Sequence, residues 1–270
     1  MRANTSLNTV PGKWGRALLR GAASWWFLIY FGAMTLVMAL SPSTYSRANR
    51  AATSRYIYTS TWQVLPWFTA LSALLSLVLI RIVVVTALSY GLSQFALEMV
   101  VRVLVLELIP LSAALFVALR TGLAFNAGAN DLSVDHTVSA QARQTEPISL
   151  TRLRQDLVPR VLASAFSVLA LAVVSSVIAL VLTYFTVHGL SLWGLPGYTR
   201  TVGHVFDLVV TLGFLFKTIF FSLAVAIVPM AASLEASAQA LTSDTVQPGA
   251  VRLFLVLLLI EAASLVVKYI

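Results

Sequence analysis

Leu106-Glu107-Leu108-Ile109-Pro110, with Arg120-Thr121-Gly122 ten residues further on, places a carboxylate, a proline and a guanidinium inside an otherwise apolar run. A charge at the centre of a membrane-spanning helix costs roughly 2.5 to 3.5 kcal/mol on insertion scales, so residues of this kind carry partners and a task. The stretch predicts an all-α membrane protein with a polar interior.

The rest of the chain agrees with that reading. Hydrophobic residues make up 59% of the 270 positions and charged residues only 10%, and mean hydropathy is +0.89. An ordinary soluble domain carries about 25% charge and could not hide so much apolar surface. The net charge of +8 comes from Lys and Arg that flank apolar spans instead of forming one stripe. That is the footprint of a cytoplasmic-side bias, so nucleic acid is not an expected partner. The absence of cysteine excludes disulfides and thiolate chemistry. The first long apolar run, 22–40, ends at Ser41-Pro42 without a small-residue cleavage pattern, and no cleavable signal is expected.

Residues 1–21 are polar and basic and lead into Trp25-Trp26-Phe27. The run 22–40 could be a short span or a helix lying in the interface; the paired tryptophans and nearby positive charges favour the interfacial helix. Five spans follow, expected at 61–90, 95–125, 159–188, 205–232 and 250–270, each about long enough for a 30 Å hydrocarbon core. Between the second and third lies the one long hydrophilic segment, 126–158, with Arg143, Arg152 and Arg154. The positive-inside rule places it in the cytoplasm, together with the N-terminus. The segment 189–204, with turn residues and interfacial aromatics around Trp193 to Tyr198 and a single Arg200, belongs on the opposite side as a loop. No repeat or second domain is evident, so residues 1–270 are expected to form one helical membrane domain: tail and interfacial helix over 1–45, spans one and two over 61–125, spans three to five over 159–270.

The ionisable residues inside or at the edge of the expected spans are Arg81, Arg102, Glu107, Arg120 and Lys217, with Asp207 and Glu261 nearer the ends. Glu107 and Arg120 lie about 20 Å apart along a straight helix, so each needs a partner from another helix or from water. Pro110 removes a backbone hydrogen bond beside Glu107, which is tolerated at membrane depth only where the backbone is buried in protein or lines a cavity. Two tasks fit these charges, lining a polar cavity or stapling helices together. Arg102 is expected to snorkel to an interface. No catalytic residue is assigned. His136, His188 and His204 are scattered without metal-ligand spacing, so no metal is expected. No Gly-rich phosphate loop leads into Lys and Ser or Thr, and any ATP hydrolysis belongs to another subunit. Ala163-Ser164-Ala165, Ser175-Ser176 and Ala231-Ala232-Ser233 read as close-packing helix faces.

These residues together resemble the MlaE/YrbE permease family, the membrane subunit of ABC-type lipid transporters that work with MCE-domain proteins. The family signature resembles Arg-Glu-Leu-Gly-Pro-Val followed by Ala-Gly-Arg-Val-Gly. Here the Glu107, Pro110, Arg120 and Gly122 positions match at their spacing. Val158-Pro159-Arg160 is similar to the family's entry to the third span, Phe216-Lys217-Thr218 to its Leu-Lys-Ser segment, and Glu261 falls where the family has Asp in the last span. The departures are as specific. The family's Arg before the signature glutamate is Leu106. Its acidic residue after the second motif is replaced by Asn126-Ala127-Gly128-Ala129-Asn130. Its ATPase-docking stretch becomes Val134-Asp135-His136-Thr137-Val138-Ser139-Ala140-Gln141, and its basic segment before the last span becomes Thr242-Ser243-Asp244-Thr245-Val246-Gln247-Pro248-Gly249.

The resemblance implies a divergent permease subunit in a bacterial inner membrane, dimeric with itself or with a second permease, that moves phospholipid between that membrane and an MCE-domain (MlaD-like) protein in outer-membrane lipid homeostasis. ATP would be bound by a separate ABC ATPase and not by this chain, with Arg143, Arg152 and Arg154 at the docking loop. Glu107, Pro110, Arg120, Lys217 and Glu261 would line or gate the substrate cavity. Two other classes stay open at this level: an ion-coupled carrier in which Glu107 or Glu261 takes up protons, and a non-transporting scaffold or pseudo-subunit.

Overall fold

The computed structural model describes residues 25–38, 54–134, 158–239 and 248–269, which are helical almost throughout and contain no strand. In chain order the helices are α1 (Trp25–Met38), α2 (Leu65–Ser89) and α3 (Ser93–Val100). A π-helical stretch, Val101–Leu108, runs without a break from α3 into α4 (Ile109–Val134). Then come α5 (Val158–His188), α6 (Leu195–Val205), α7 (Leu208–Gln239) and α8 (Pro248–Tyr269).

Among the described residues, five segments are long and apolar enough to cross a membrane: Leu65–Ser89, Phe95–Thr121, Val158–His188, Leu208–Ala232 and Gly249–Lys268. They agree with the expected spans to within a few residues, and the differences have local causes. The first span starts later than expected because Thr61 belongs to a π-helical turn, Tyr58–Trp62, and Pro66 opens α2 in its first turn, where a missing N–H is no loss. The fourth starts at Leu208, not Val205, because Val205 ends α6 and the first turn of α7 closes from the Thr211 N–H to the Asp207 carbonyl at 2.8 Å, with the Asp207 carboxylate accepting the Leu208 N–H at 2.7 Å.

Within the run at 22–40 the described residues form the 14-residue helix α1, about 21 Å long. Its Phe31 and Thr35 are buried and Leu28 is half-buried, a stripe at helical spacing that packs on Val161 of α5 and Ala226, Ile227 and Met230 of α7. Trp26, Ile29, Tyr30 and Val37 face outward.

Between apolar helices in lipid, association depends on close van der Waals contact and interhelical hydrogen bonds. The packing reflects that. Ala113, Ala114 and Ala118 of α4, Ala172 of α5 and Ala224 of α7 bring three backbones together around Phe221, which is fully buried. The α3–α4 span is the most enclosed of the five, and α2 and α8 the least. A direct hydroxyl contact, Thr61 Oγ1 to Ser167 Oγ at 2.7 Å, joins the segment before α2 to α5.

The segment expected as a loop at 189–204 contains helix α6. Gly189, at φ +65°, ends α5 in the left-handed region that side chains avoid. The Tyr184 hydroxyl then donates to the Ser191 carbonyl, and Pro196 opens the new helix. Tyr198 and Val205 turn inward, while Arg200 and His204 face out. Burial pushes the Tyr198 hydroxyl up to about 12, so it stays protonated and donates to the Leu180 carbonyl at 2.7 Å. Gly194 is required by proximity: a Cβ there would lie 2.2 Å from the His188 ring.

A second close approach brings α7 against α8, since a Cβ on Gly249 would meet the Ala232 Cβ at 2.6 Å. Gly249→Val should therefore lower the thermal unfolding midpoint in detergent, with an overpacking cost of about 1–3 kcal/mol. Adding Ala232→Gly should recover part of that loss; no recovery would mean that this contact does not set the helix separation.

Candidate functional site

The site begins with Pro110. A proline has no N–H to give the carbonyl four residues back, which is that of Leu106. Upstream of it the helix widens into the π-helical stretch, with the Ile109 N–H bonded five residues back to the Leu104 carbonyl. The Leu106 carbonyl receives a proton donor from another helix instead: Lys217 Nζ of α7 lies 3.4 Å away. The backbone is thus widened at Pro110 but not broken, and Pro110 itself is buried.

Lys217 is the centre of a four-charge cluster. Its side chain is 2% exposed. Glu107 Oε2 pairs with its ammonium, Glu261 Oε2 of α8 lies at 2.7 Å, and the Phe221 ring centroid is 5.7 Å off. The ammonium donates to Glu107 Oε2 and to the Leu106 carbonyl, whereas its contact with Glu261 Oε2 is an ion pair without hydrogen-bond geometry. The other carboxylate oxygen of Glu107, Oε1, takes Lys268 Nζ at 2.9 Å. Two lysines and two glutamates from three spans therefore form a quartet whose formal charges balance. It is buried unevenly, with Glu107, Glu261 and Lys268 each retaining 15% to 18% side-chain exposure. Lys217 sits nine residues into α7, about 14 Å from its start, and Glu107 twelve residues into its span, whereas Lys268 is the last residue of the fifth span. The quartet occupies the half of the bundle that carries the turn between α2 and α3 and the corner around α6.

Three of the five expected cavity residues, Glu107, Lys217 and Glu261, come together here, with Pro110 one turn away. Arg120 does not join them. It is half-buried on α4, thirteen residues or about 20 Å beyond Glu107. Arg143, Arg152 and Arg154 lie outside the described residues, as does His136. Arg81 is exposed on α2, Asp207 caps α7, and Arg102 pairs with Glu98 at 2.8 Å one turn away, a partner not anticipated from the sequence. His188 stacks on Tyr184, with ring centroids 5.3 Å apart.

Lys268 is the member that sequence reasoning missed. Its signal was available, since Glu261 and Lys268 are seven residues apart and so share a helix face two turns apart. Only the position of α8 against α7 shows that this face meets Glu107.

Breaking a buried ion pair by removing one partner costs about 3–5 kcal/mol, because the other charge stays buried. Lys217→Met should therefore sharply lower the unfolding midpoint in detergent, and Lys217→Met with Glu261→Gln should regain part of it. Equal instability of the two variants would exclude charge balance as the cause.

The comparisons bear on the same residues. No curated protein matches the chain. The family model described as Permease MlaE matches residues 53–267, a stretch that holds four of the spans, all but the last residue of the fifth, the π-helical turn at Pro110 and three of the four quartet residues. With most of its length covered, the chain is a multi-pass, permease-type membrane subunit and belongs to the MlaE permease family.

Proposed function

We propose that this chain is the permease subunit of an ABC-type phospholipid transporter, passing lipid between a bacterial inner membrane and an MCE-domain partner in outer-membrane lipid homeostasis. The observation that carries the reading is the charge-balanced quartet of Glu107, Lys217, Glu261 and Lys268, the first three of which lie inside the family-matched stretch. A hydrophilic solute would need many polar groups to replace its water, and the spans offer few. The described helices instead present large apolar side chains, such as Leu74, Leu75, Val103, Phe216 and Phe254, that suit acyl chains or a second permease copy.

Residues 1–270 act as one domain in this reading, with the N-terminus in the cytoplasm and α1 lying at that interface. Two permease subunits, identical or different, would flank the lipid. The 126–158 segment would dock a separate ABC ATPase that binds the ATP, with Arg143, Arg152 and Arg154 meeting its surface. ATP turnover would then shift the dimer between two conformations, which requires the nucleotide-bound ATPase to bind one of them more tightly. Glu107, Pro110, Lys217 and Glu261 would serve at the cavity, and Arg120 nearer its cytoplasmic end.

The test is a mild-detergent pull-down of the tagged chain from its native membrane, with co-purifying proteins and lipids identified by mass spectrometry. Recovery of an ABC ATPase, an MCE-domain protein and phospholipid is the expected result. Recovery of the chain without an ATPase would overturn the reading in favour of an ion-coupled carrier or a scaffold. In the recovered complex, charge reversal at Arg143, Arg152 and Arg154 should lower ATPase stimulation while the membrane part keeps its unfolding midpoint. Unchanged stimulation in all three would remove the docking assignment.

A further inference from the structure

The four charges of the quartet are not equivalent. Lys217 is enclosed, at 2% side-chain exposure, between two carboxylates and a backbone carbonyl. Lys268 stands in the last turn of α8, and its 2.9 Å contact with Glu107 Oε1 is 15% exposed on both sides. Among the ion pairs of the described residues in the quartet, Lys268 with Glu107 is the one whose two members both keep exposure, since each pair made by Lys217 has an enclosed cation.

An accessible ion pair inside a membrane span can be opened only by something that replaces both charges, since leaving either one bare in a medium of low dielectric is costly. A zwitterionic headgroup carries both signs on neighbouring groups. Resting on the phospholipid reading above, we infer that Lys268 and Glu107 form an exchange site for an amine-bearing zwitterionic phospholipid. The lipid phosphate takes the Lys268 ammonium, and the lipid ammonium takes the Glu107 carboxylate. One ion pair is exchanged for two, charge is conserved at every atom, and Lys217 keeps Glu261 as its counter-ion throughout.

The same accounting sets the specificity. An anionic headgroup without an amine would occupy Lys268 and bring a second negative charge against Glu107. Neighbouring side chains fit an acyl-linked ligand, since Val103 and Leu108 beside Glu107 and Val266 and Val267 beside Lys268 are exposed and apolar.

The experiment uses the full chain with whatever subunits accompany it in mild detergent. It is incubated with vesicles of equimolar phosphatidylethanolamine and phosphatidylglycerol and re-isolated, and the retained lipids are counted by mass spectrometry. The retained phosphatidylethanolamine-to-phosphatidylglycerol ratio should exceed that of the vesicles. Lys268→Met should reduce it about tenfold, the scale of one charge-assisted hydrogen bond, and Lys268→Arg should retain it. A wild-type ratio equal to that of the vesicles, or a Lys268→Met ratio equal to wild type, would overturn the exchange site. The wild-type ratio decides the matter by itself should Lys268→Met fail to fold. Retained phospholipid without headgroup preference would overturn the exchange and leave the transporter reading standing, whereas no retained phospholipid and no ATPase would remove both.

Discussion

An ammonium held inside a bundle of apolar helices must be neutralised where it stands, and the position of Lys217 imposes that condition on every helix around it. Its two carboxylates come from different spans, Glu107 from the π-helical stretch and Glu261 from α8. Rotation or sliding of any of the three would separate opposite charges at low dielectric, where attraction is strongest. Apolar contact in lipid discriminates poorly between helix registers, because the alternative neighbour is an equally apolar acyl chain. The ion pairs supply the register that the Ala, Val and Leu faces leave loose.

Local chemistry prepares that centre. Pro110 withholds one backbone proton from the Leu106 carbonyl, and the wide turn before it sets the Glu107 side chain beside α7. The same lysine that takes the carboxylate also approaches the Leu106 carbonyl. Elsewhere the hydroxyls are handled more cheaply. Thr183, Thr186 and Thr218 each donate to the carbonyl one turn back on their own helix, which costs a slight bend and requires no partner.

Much of this was legible in the residues. Span lengths, the polar interior and the need of Glu107 for a partner from another helix follow from hydropathy, from 1.5 Å per residue and from the cost of buried charge. The identity of that partner does not follow, because helix spacing describes one helix at a time, and which faces meet depends on how α7 and α8 are rotated. Lys268 was passed over for that reason, as its place near the end of a span reads as an ordinary interfacial lysine. Helix α6 was hidden for a different reason. Gly194, Pro196 and Gly197 are strong turn signals, and here they open a short helix whose Tyr198 and Val205 find cover against α5 and the π-helical stretch.

The neutrality of the quartet has an electrical consequence. A membrane potential does work on net charge, about 2.3 kcal/mol for each elementary charge moved through 100 mV. Two lysines and two glutamates that shift together while all four are ionised present no net charge to that field, and a headgroup that is itself neutral adds none. A rearrangement built on these groups would run at the same energy in a polarised and a depolarised membrane, leaving its direction to be set by other means than voltage.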